Sequence, residues 1–315
     1  MKENKVLGGL FGLCVGDALG VPFESCSRDE LNRHPVTAMV GYGVHNQPAG
    51  TWSDDSSLTF CLADSLCQGF NLRDIAHKFC KWLYEAYWTP YGRTFGVGNT
   101  TQYAISRLKK GVKPDEAGGK SEYSNGNGSL MRILPLAYYL ENTEPPKKFE
   151  IIHQVSSITH AHTRSQMVCG IYIELAINLL KGDTPKSAYK NVTATILDFY
   201  GREPYRTELD NFSRILQADI SKLTEEEIKS SGYVIDTLEA SLWCLLTNNS
   251  YAEAVLNAVN LGGDTDTTGA VTGGLAGIYY GYENIPKDWV EQIARKEDIT
   301  ELAIRLNKKI YGNIL

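Results

Sequence analysis

Leu261-Gly262-Gly263-Asp264-Thr265-Asp266-Thr267-Thr268-Gly269-Ala270-Val271-Thr272-Gly273-Gly274-Leu275-Ala276-Gly277 is the stretch whose reading decides the fold. The acid-and-hydroxyl repeat in its first half would suit the end of a strand or the start of a helix, so its surroundings arbitrate. Downstream come the small residues Ala270, Gly273, Gly274, Ala276 and Gly277, which allow one helix to pack closely on another. Upstream, Ala252, Val255, Leu256 and Val259 fall at helical spacing behind a capping-box pattern, Ser250 with Glu253. The stretch therefore reads as helix, glycine turn, helix, with both aspartates in the turn or first turn.

The same period continues along the chain. Leu72, Ile75, Ala76, Phe79 and Leu83 share one face, as do Val168, Ile171, Tyr172, Leu175 and Leu179. A second capping-box pattern, Asp236 with Glu239, predicts another helix start. Period-2 runs bounded by turns are nearly absent, so the fold class is all-α. Nothing resembles an internal repeat or a dividing linker, and a single compact domain is expected over 1–315. Residues 35–53, 111–129 and 201–210 are loops rich in Gly, Pro or polar residues. Loops of that length in a helical domain usually bind something.

With 43% hydrophobic and 22% charged residues the chain can fill a sizeable core unaided. A net charge of −6 without a basic stripe argues against nucleic-acid binding. It leaves an anionic small substrate open, because bound cations reverse the local sign of a site. Seven cysteines, odd in number and without CxxC spacing, read as buried free thiols of a reducing, cytoplasmic setting. Lys2 and Lys5 before an apolar run loosely imitate a signal peptide, but Gly8, Gly9 and Gly12 interrupt the run and Asp17 follows it. No stretch reads as the ~20 apolar residues of a membrane span.

Two acidic clusters carry the chemistry. Ser53-Asp54-Asp55 stands before a helix through Leu58, Cys61, Leu62 and Leu66, and Asp264-Thr265-Asp266-Thr267 before the small-residue helix. One acid or hydroxyl would be an ordinary N-cap. Adjacent carboxylates exceed what a cap needs and repel one another unless a cation lies between them. Oxygen ligands without Cys favour Mg2+, Mn2+ or Ca2+. An EF-hand loop starting at Asp264 fails, because its twelfth position is Leu275 where a bidentate Glu is required. The string also fits the DxDxT pattern of haloacid-dehalogenase-type phosphatases, an alternative that needs a preceding buried strand. The chain has no GxxxxGK[ST], GxSxG or HExxH.

Three further segments are candidates. In Gly16-Asp17-Ala18-Leu19-Gly20-Val21-Pro22-Phe23-Glu24 a helix should end in a turn that presents Glu24. Ser124-Asn125-Gly126-Asn127-Gly128-Ser129 reads as a glycine-rich start of a helix through Leu130, Ile133, Leu134 and Leu136, with free N–H groups for an anion. His160 and His162, two residues apart, point to different sides, so either alone could line a pocket.

Taken in order, GDALGVPFE (16–24), GTWSDDSS (50–57), GNGSLMRILP (126–135), SITHAH (157–162) and LGGDTDTTGAVTGGLAG (261–277) resemble the ADP-ribosylglycohydrolase family, the group related to dinitrogenase-reductase-activating glycohydrolase. The resemblance implies an all-helical single domain with two Mg2+ or Mn2+ ions in a cleft. It implies Ser53, Asp54, Asp55, Asp264, Asp266 and Thr267 as metal ligands, with Ser53 and Ser56 standing where the family generally has Thr. It further implies Glu24 as an acid beside the metals and Ser124, Gly126, Asn127 and Gly128 as the wall for diphosphate and distal ribose. His160 would contact substrate, and Asp54 or Asp55 would be the base. The implied reaction is hydrolysis at ribose C1″ of an ADP-ribosylated protein or small conjugate. Arginine is the leading acceptor. An O-linked acceptor (ADP-ribosyl-serine or O-acetyl-ADP-ribose) and a non-catalytic ADP-ribose-binding protein are the alternatives.

Overall fold

Glycines recur at every fourth position in the first helix, at 8, 12, 16 and 20, and again at 269, 273 and 277. In the computed structural model, which describes residues 2–312, these two rows face each other along antiparallel helices. Met1 and residues 313–315, the ends of the expected 1–315 domain, lie outside the described residues. A Cβ on Gly8, Gly12 or Gly16 would strike the carbonyl oxygen of Gly277, Gly273 or Gly269, and one on Gly20 would strike the backbone of Asp266. Only a face without side chains permits backbones this close, and the contact runs the length of both helices.

The long helices, in chain order, are α1 Lys2–Gly20, α2 Asp54–Leu66, α3 Leu72–Glu85, α4 Asn99–Lys109, α5 Pro145–Ser157, α6 Thr163–Leu180, α7 Pro185–Tyr200, α8 Val234–Thr247, α9 Tyr251–Asn260, α10 Thr265–Tyr280 and α11 Lys296–Tyr311. Among the described residues there is no strand, only the isolated bridges Tyr42–Gln47, Gly119–His160 and Gly126–Tyr233. The all-α expectation holds, and Asp264 follows a helix and a glycine turn. The strand that the phosphatase reading needs is not there.

Buried apolar side chains from both ends of the chain form one contiguous core. α2, α6 and α10 are buried nearly all round, so their sequences lack a polar face. On α3 and α9 the predicted stripes are displaced slightly: Leu72, Leu83, Ala252 and Leu256 are half-buried, whereas Trp82, Ala254 and Ala258 are buried. Among the described residues one helical span, Lys5–Phe23, is long and apolar enough to cross a membrane, contrary to the reading of its glycines as interruptions. Within the fold 89% of that window is buried, and the glycines are its packing face.

Two expected helix starts are corrected. Ser250 does cap α9 by accepting from Glu253 N at 3.1 Å, but α8 begins at Val234, two residues before Asp236. Asp236 accepts from Ser231 Oγ (2.7 Å), and Glu239 pairs with Arg214 at 2.7 Å. No helix opens at Ser129 either. Asn127–Ser129 is a single 3-10 turn, and the next helix starts at Pro135, whose missing N–H suits a first helical position.

The glycine seam gives the first prediction. Gly12→Val should destabilise the protein by roughly 3 kcal/mol or more, the upper end for overpacking, because backbone cannot move aside as a side chain can. Gly98→Ala, at φ −65° with open space around the new methyl group, should leave stability within about 0.5 kcal/mol. Chemical denaturation of the two variants checks both.

Candidate active site

The seam brings the C-terminal end of α1 against the N-terminal end of α10, and α2 starts beside them. Ser53, in extended conformation, caps α2: its Oγ accepts from Asp55 N (3.2 Å) and donates to Asp55 Oδ2 (2.9 Å). The cluster is anchored by Asp17. This buried carboxylate accepts from Ser53 N (3.0 and 3.1 Å), Ser56 N (3.0 Å) and Ser56 Oγ (2.5 Å). Asp17 was read only as part of a turn motif, because a lone acid within an apolar helix does not reveal what it will face.

At the start of α10, Gly262 and Gly263 both have φ +73°, a left-handed pair that L side chains resist. The turn is pinned by Ser25 N donating to Gly263 O (2.7 Å), Gly263 N to Cys26 O (2.8 Å) and Asp264 N to Ser230 O (2.9 Å). Thr265 Oγ1 donates to Gly20 O (2.8 Å), which frees Asp264 and Asp266 to face the interior. Asp266 Oδ1 accepts from Thr267 N (2.9 Å). Asn127 Nδ2 donates to Asp264 Oδ2 (2.8 Å) and Thr237 Oγ1 (2.9 Å), so the glycine-rich loop is tied directly to the second acidic cluster.

These segments enclose a cleft of about 360 Å³ lined by Glu24, Asp54, Asp55, Gly126, Asn127, Gly128, His160, Asp264, Asp266 and Thr267. Of the expected site residues, Ser53 sits behind the cleft as a cap, and Ser124 faces an adjoining cavity of about 530 Å³ with Arg107 and Tyr103. In the glycine loop the N–H of Asn127 is not free for an anion, since it donates to Gly232 O (3.0 Å). His162 is turned away and accepts from Arg164 N at the start of α6 (3.2 Å).

Two features escaped the sequence. Gly96 and Gly98–Thr101 form part of the wall, and a Cβ at Gly96 would approach Asp54 Oδ1 to 2.6 Å. His45, on the turn Gly43–His45, bonds through Nε2 to Glu24 Oε2 and lies 5.2 Å from the Phe95 ring. A single histidine in a Gly/Pro-rich loop carried no spacing signal.

The electrostatics are those of a concentrated acid cluster. Burial, followed by the charge of Asp17, pushes the Asp54 and Asp55 carboxyls well above the usual range, and burial with Asp264 does the same to Asp266. Burial raises Asp17 to about 6. The bond to Glu24 raises His45, while burial, helped by Arg132, lowers His160 to about 3 and leaves it neutral. Oxygens of Asp17, Asp55 and Asp266 lie within 4.8 Å of one another, and Glu24, His45 and Asp266 offer ligand atoms equally close. Asp55 Oδ1 is buried with no hydrogen-bond partner. An orphaned anionic oxygen among carboxylates is what a divalent cation would satisfy, so the acidic groups can hold metal.

An all-helical fold whose helix ends gather carboxylates about one cleft defines a protein with a buried acidic centre open to a ligand. The sequence profile described as ADP-ribosylglycohydrolase matches residues 1–314. The chain is 33% identical to the ADP-ribosylarginine hydrolase Tri1 of Serratia proteamaculans, over 96% of this chain and 79% of that one. It is 29% identical to the ADP-ribosyl-[dinitrogen reductase] glycohydrolase of Rhodospirillum rubrum, over 93% and 92%. A solved structure described as an ADP-ribosylglycohydrolase-related protein complex superposes with a TM-score of 0.81 at 31% identity, covering 98% of both chains. This chain therefore belongs to the ADP-ribosylglycohydrolase family and is a hydrolase acting on ADP-ribose glycosidic bonds.

The raised carboxyls set a sign for pH and metal dependence. Without cations, folded Asp17 keeps its proton up to about pH 6, whereas its ordinary value is 3.8. That contribution is complete below about pH 4 and lost as pH rises through 6; Asp54, Asp55 and Asp266, shifted in the same direction, extend the loss upward. In EDTA, melting temperature should fall between pH 5 and pH 8. Mg2+ or Mn2+ at a hundred times its dissociation constant should restore about 2.7 kcal/mol at pH 8. Calorimetric melts with and without the ions check this, and a melt indifferent to both ions would refute it.

Proposed function

We propose that this chain removes ADP-ribose from arginine side chains of proteins, with two divalent cations, Mg2+ or Mn2+, resident in the cleft. The observation that carries the reading is the gathering of Glu24, Asp54, Asp55, Asp264 and Asp266 in one cleft with Gly126, Asn127, Gly128 and His160. Arginine is favoured by the names of relatives at 33% identity. The free thiols suit a cytoplasmic setting.

Asp54, Asp55, Asp264, Asp266 and Thr267 would hold the cations from the cleft wall, with the Ser53 hydroxyl behind them joining only by releasing Asp55, an oxygen-only set that suits hard ions. When bound, the ions supply Lewis-acid polarisation at the distal ribose. Asp54 or Asp55 takes the proton of the attacking water. The water oxygen bonds to C1″, the bond from C1″ to the guanidine nitrogen breaks, and the leaving guanidine takes up the proton that the carboxylate received from the water. Glu24, held by His45, sits where it can orient the ribose or an ion. Gly126, Asn127 and Gly128 face the diphosphate, and neutral His160 can share a hydrogen bond with substrate without adding charge.

The test is release of ADP-ribose from arginine- and serine-modified proteins, with Mg2+, Mn2+ or EDTA. Arginine conjugates should be cleaved, EDTA should abolish turnover, and Asp55→Asn or Asp266→Asn should lower kcat by about a hundredfold or more. Faster cleavage of the serine conjugate would replace arginine by an O-linked acceptor. Release indifferent to EDTA would remove the cations from the reaction.

A further inference from the structure

Arg132 has no solvent exposure and lies under the wall of the cleft. Its guanidinium donates to Gly128 O and, at 3.3 Å, to Val155 O, and it stacks over Phe79 at 4.9 Å from the ring centre. Nε is buried without a partner. The other buried cations among the described residues each meet a carboxylate: Lys148 lies 2.6 Å from Glu174 and Arg164 lies 2.8 Å from Glu208. Arg132 forms no such ion pair among the described residues.

A strut between two carbonyls needs donors but no charge, and an unpaired charge in the interior is unfavourable. Burial already pulls the Arg132 pKa down to about 10. The wall above it is thin. Gly128 and Met131 line the cleft beside His160, and a Cβ at Gly128 would meet the His160 ring at 2.8 Å and Thr101 Oγ1 at 2.9 Å. One peptide, that of Gly128, separates the guanidinium from whatever occupies the cleft. The carboxylates of the cleft would repel a diphosphate, and in the free protein the charge of Asp54 supports the buried guanidinium without pairing with it. Once cations take up that charge, a bound diphosphate is the anion left to balance Arg132.

We propose that Arg132 is a positioning residue whose buried charge is balanced by the diphosphate of bound ADP-ribose across the Gly128 peptide, and whose bond to Gly128 O fixes that peptide. The inference rests on the reading of residues 126–128 as the diphosphate wall. Arg132 touches protein carbonyls and not substrate, so it acts through Gly128. Its charge also disfavours protonation of His160.

Charge and hydrogen bonding can be separated by titrating ADP-ribose into the intact protein and into Arg132→Lys, Arg132→Gln and Arg132→Met, with KM and kcat measured on an arginine conjugate. Lys keeps the charge, Gln keeps only a donor for Gly128 O, and Met keeps neither. ADP-ribose affinity should stay within about threefold in Lys and fall about tenfold or more in Gln and Met, with KM rising and kcat nearly unchanged. Equal affinities in Lys and Gln, or no loss in Gln, would overturn the inference. If Met fails to fold, the Lys–Gln comparison decides alone. ADP-ribose binding without turnover of the arginine conjugate would sink the arginine reading and leave this one to the Lys–Gln pair, whereas no ADP-ribose binding by the intact protein would overturn both.

Discussion

Backbone-to-backbone contact between α1 and α10 is the constraint on which the rest of the molecule depends. Facing rows of glycine bring the two helix axes nearer than any side chain would allow, and they fix the register as well as the distance. With that register set, Asp17 and Glu24 at one helix end meet Asp264 and Asp266 at the other, about 250 residues later in the chain. A shift of one turn, about 5 Å, would carry the two acid groups out of each other's reach. The helix that looks most like a membrane span is thus the one whose packing builds the cleft.

Such a cluster strains the fold that carries it. Four aspartates are raised by burial, three of them further by neighbouring carboxylates, and a buried oxygen of Asp55 lacks a partner. Part of the repulsion is offset locally. Asp17 takes its donors from the backbone N–H groups of the α2 start and from the Ser56 hydroxyl, Asp264 takes one from Asn127, and Asp266 one from Thr267 N. Helix N-termini favour negative charge as well. The remainder is a standing demand for positive charge, which bound cations would meet.

Much of this could be read from the residues. Apolar spacing at 72–83 and 168–179 gave the helical class, and paired acids at 54–55 and 264–266 exceeded what capping requires. Where the reading failed, the failure was local chemistry overruled by tertiary contact. Asp236 looked like a cap, but its helix starts at Val234 and the carboxylate answers Ser231 instead. Gly126–Ser129 looked like a helix start, but Asn127 is held by Gly232 on its backbone and by Asp264 on its side chain. His45 had no pattern around it, and Arg132 stands within the 126–135 motif with nothing to mark it as a buried charge.

By itself, the sequence determined the helices, the acids at their ends and the family to which their order belongs, because periodicity, capping and glycine turns act over a few residues. Which acid faces which, that Asp17 braces the first cluster, that His45 reaches Glu24, and that Arg132 is buried without an ion pair were decided only by the tertiary structure. Those relations join residues tens to hundreds of positions apart. They exist because the glycine seam closes at one register, and no spacing along the chain encodes what that closure places on the other side.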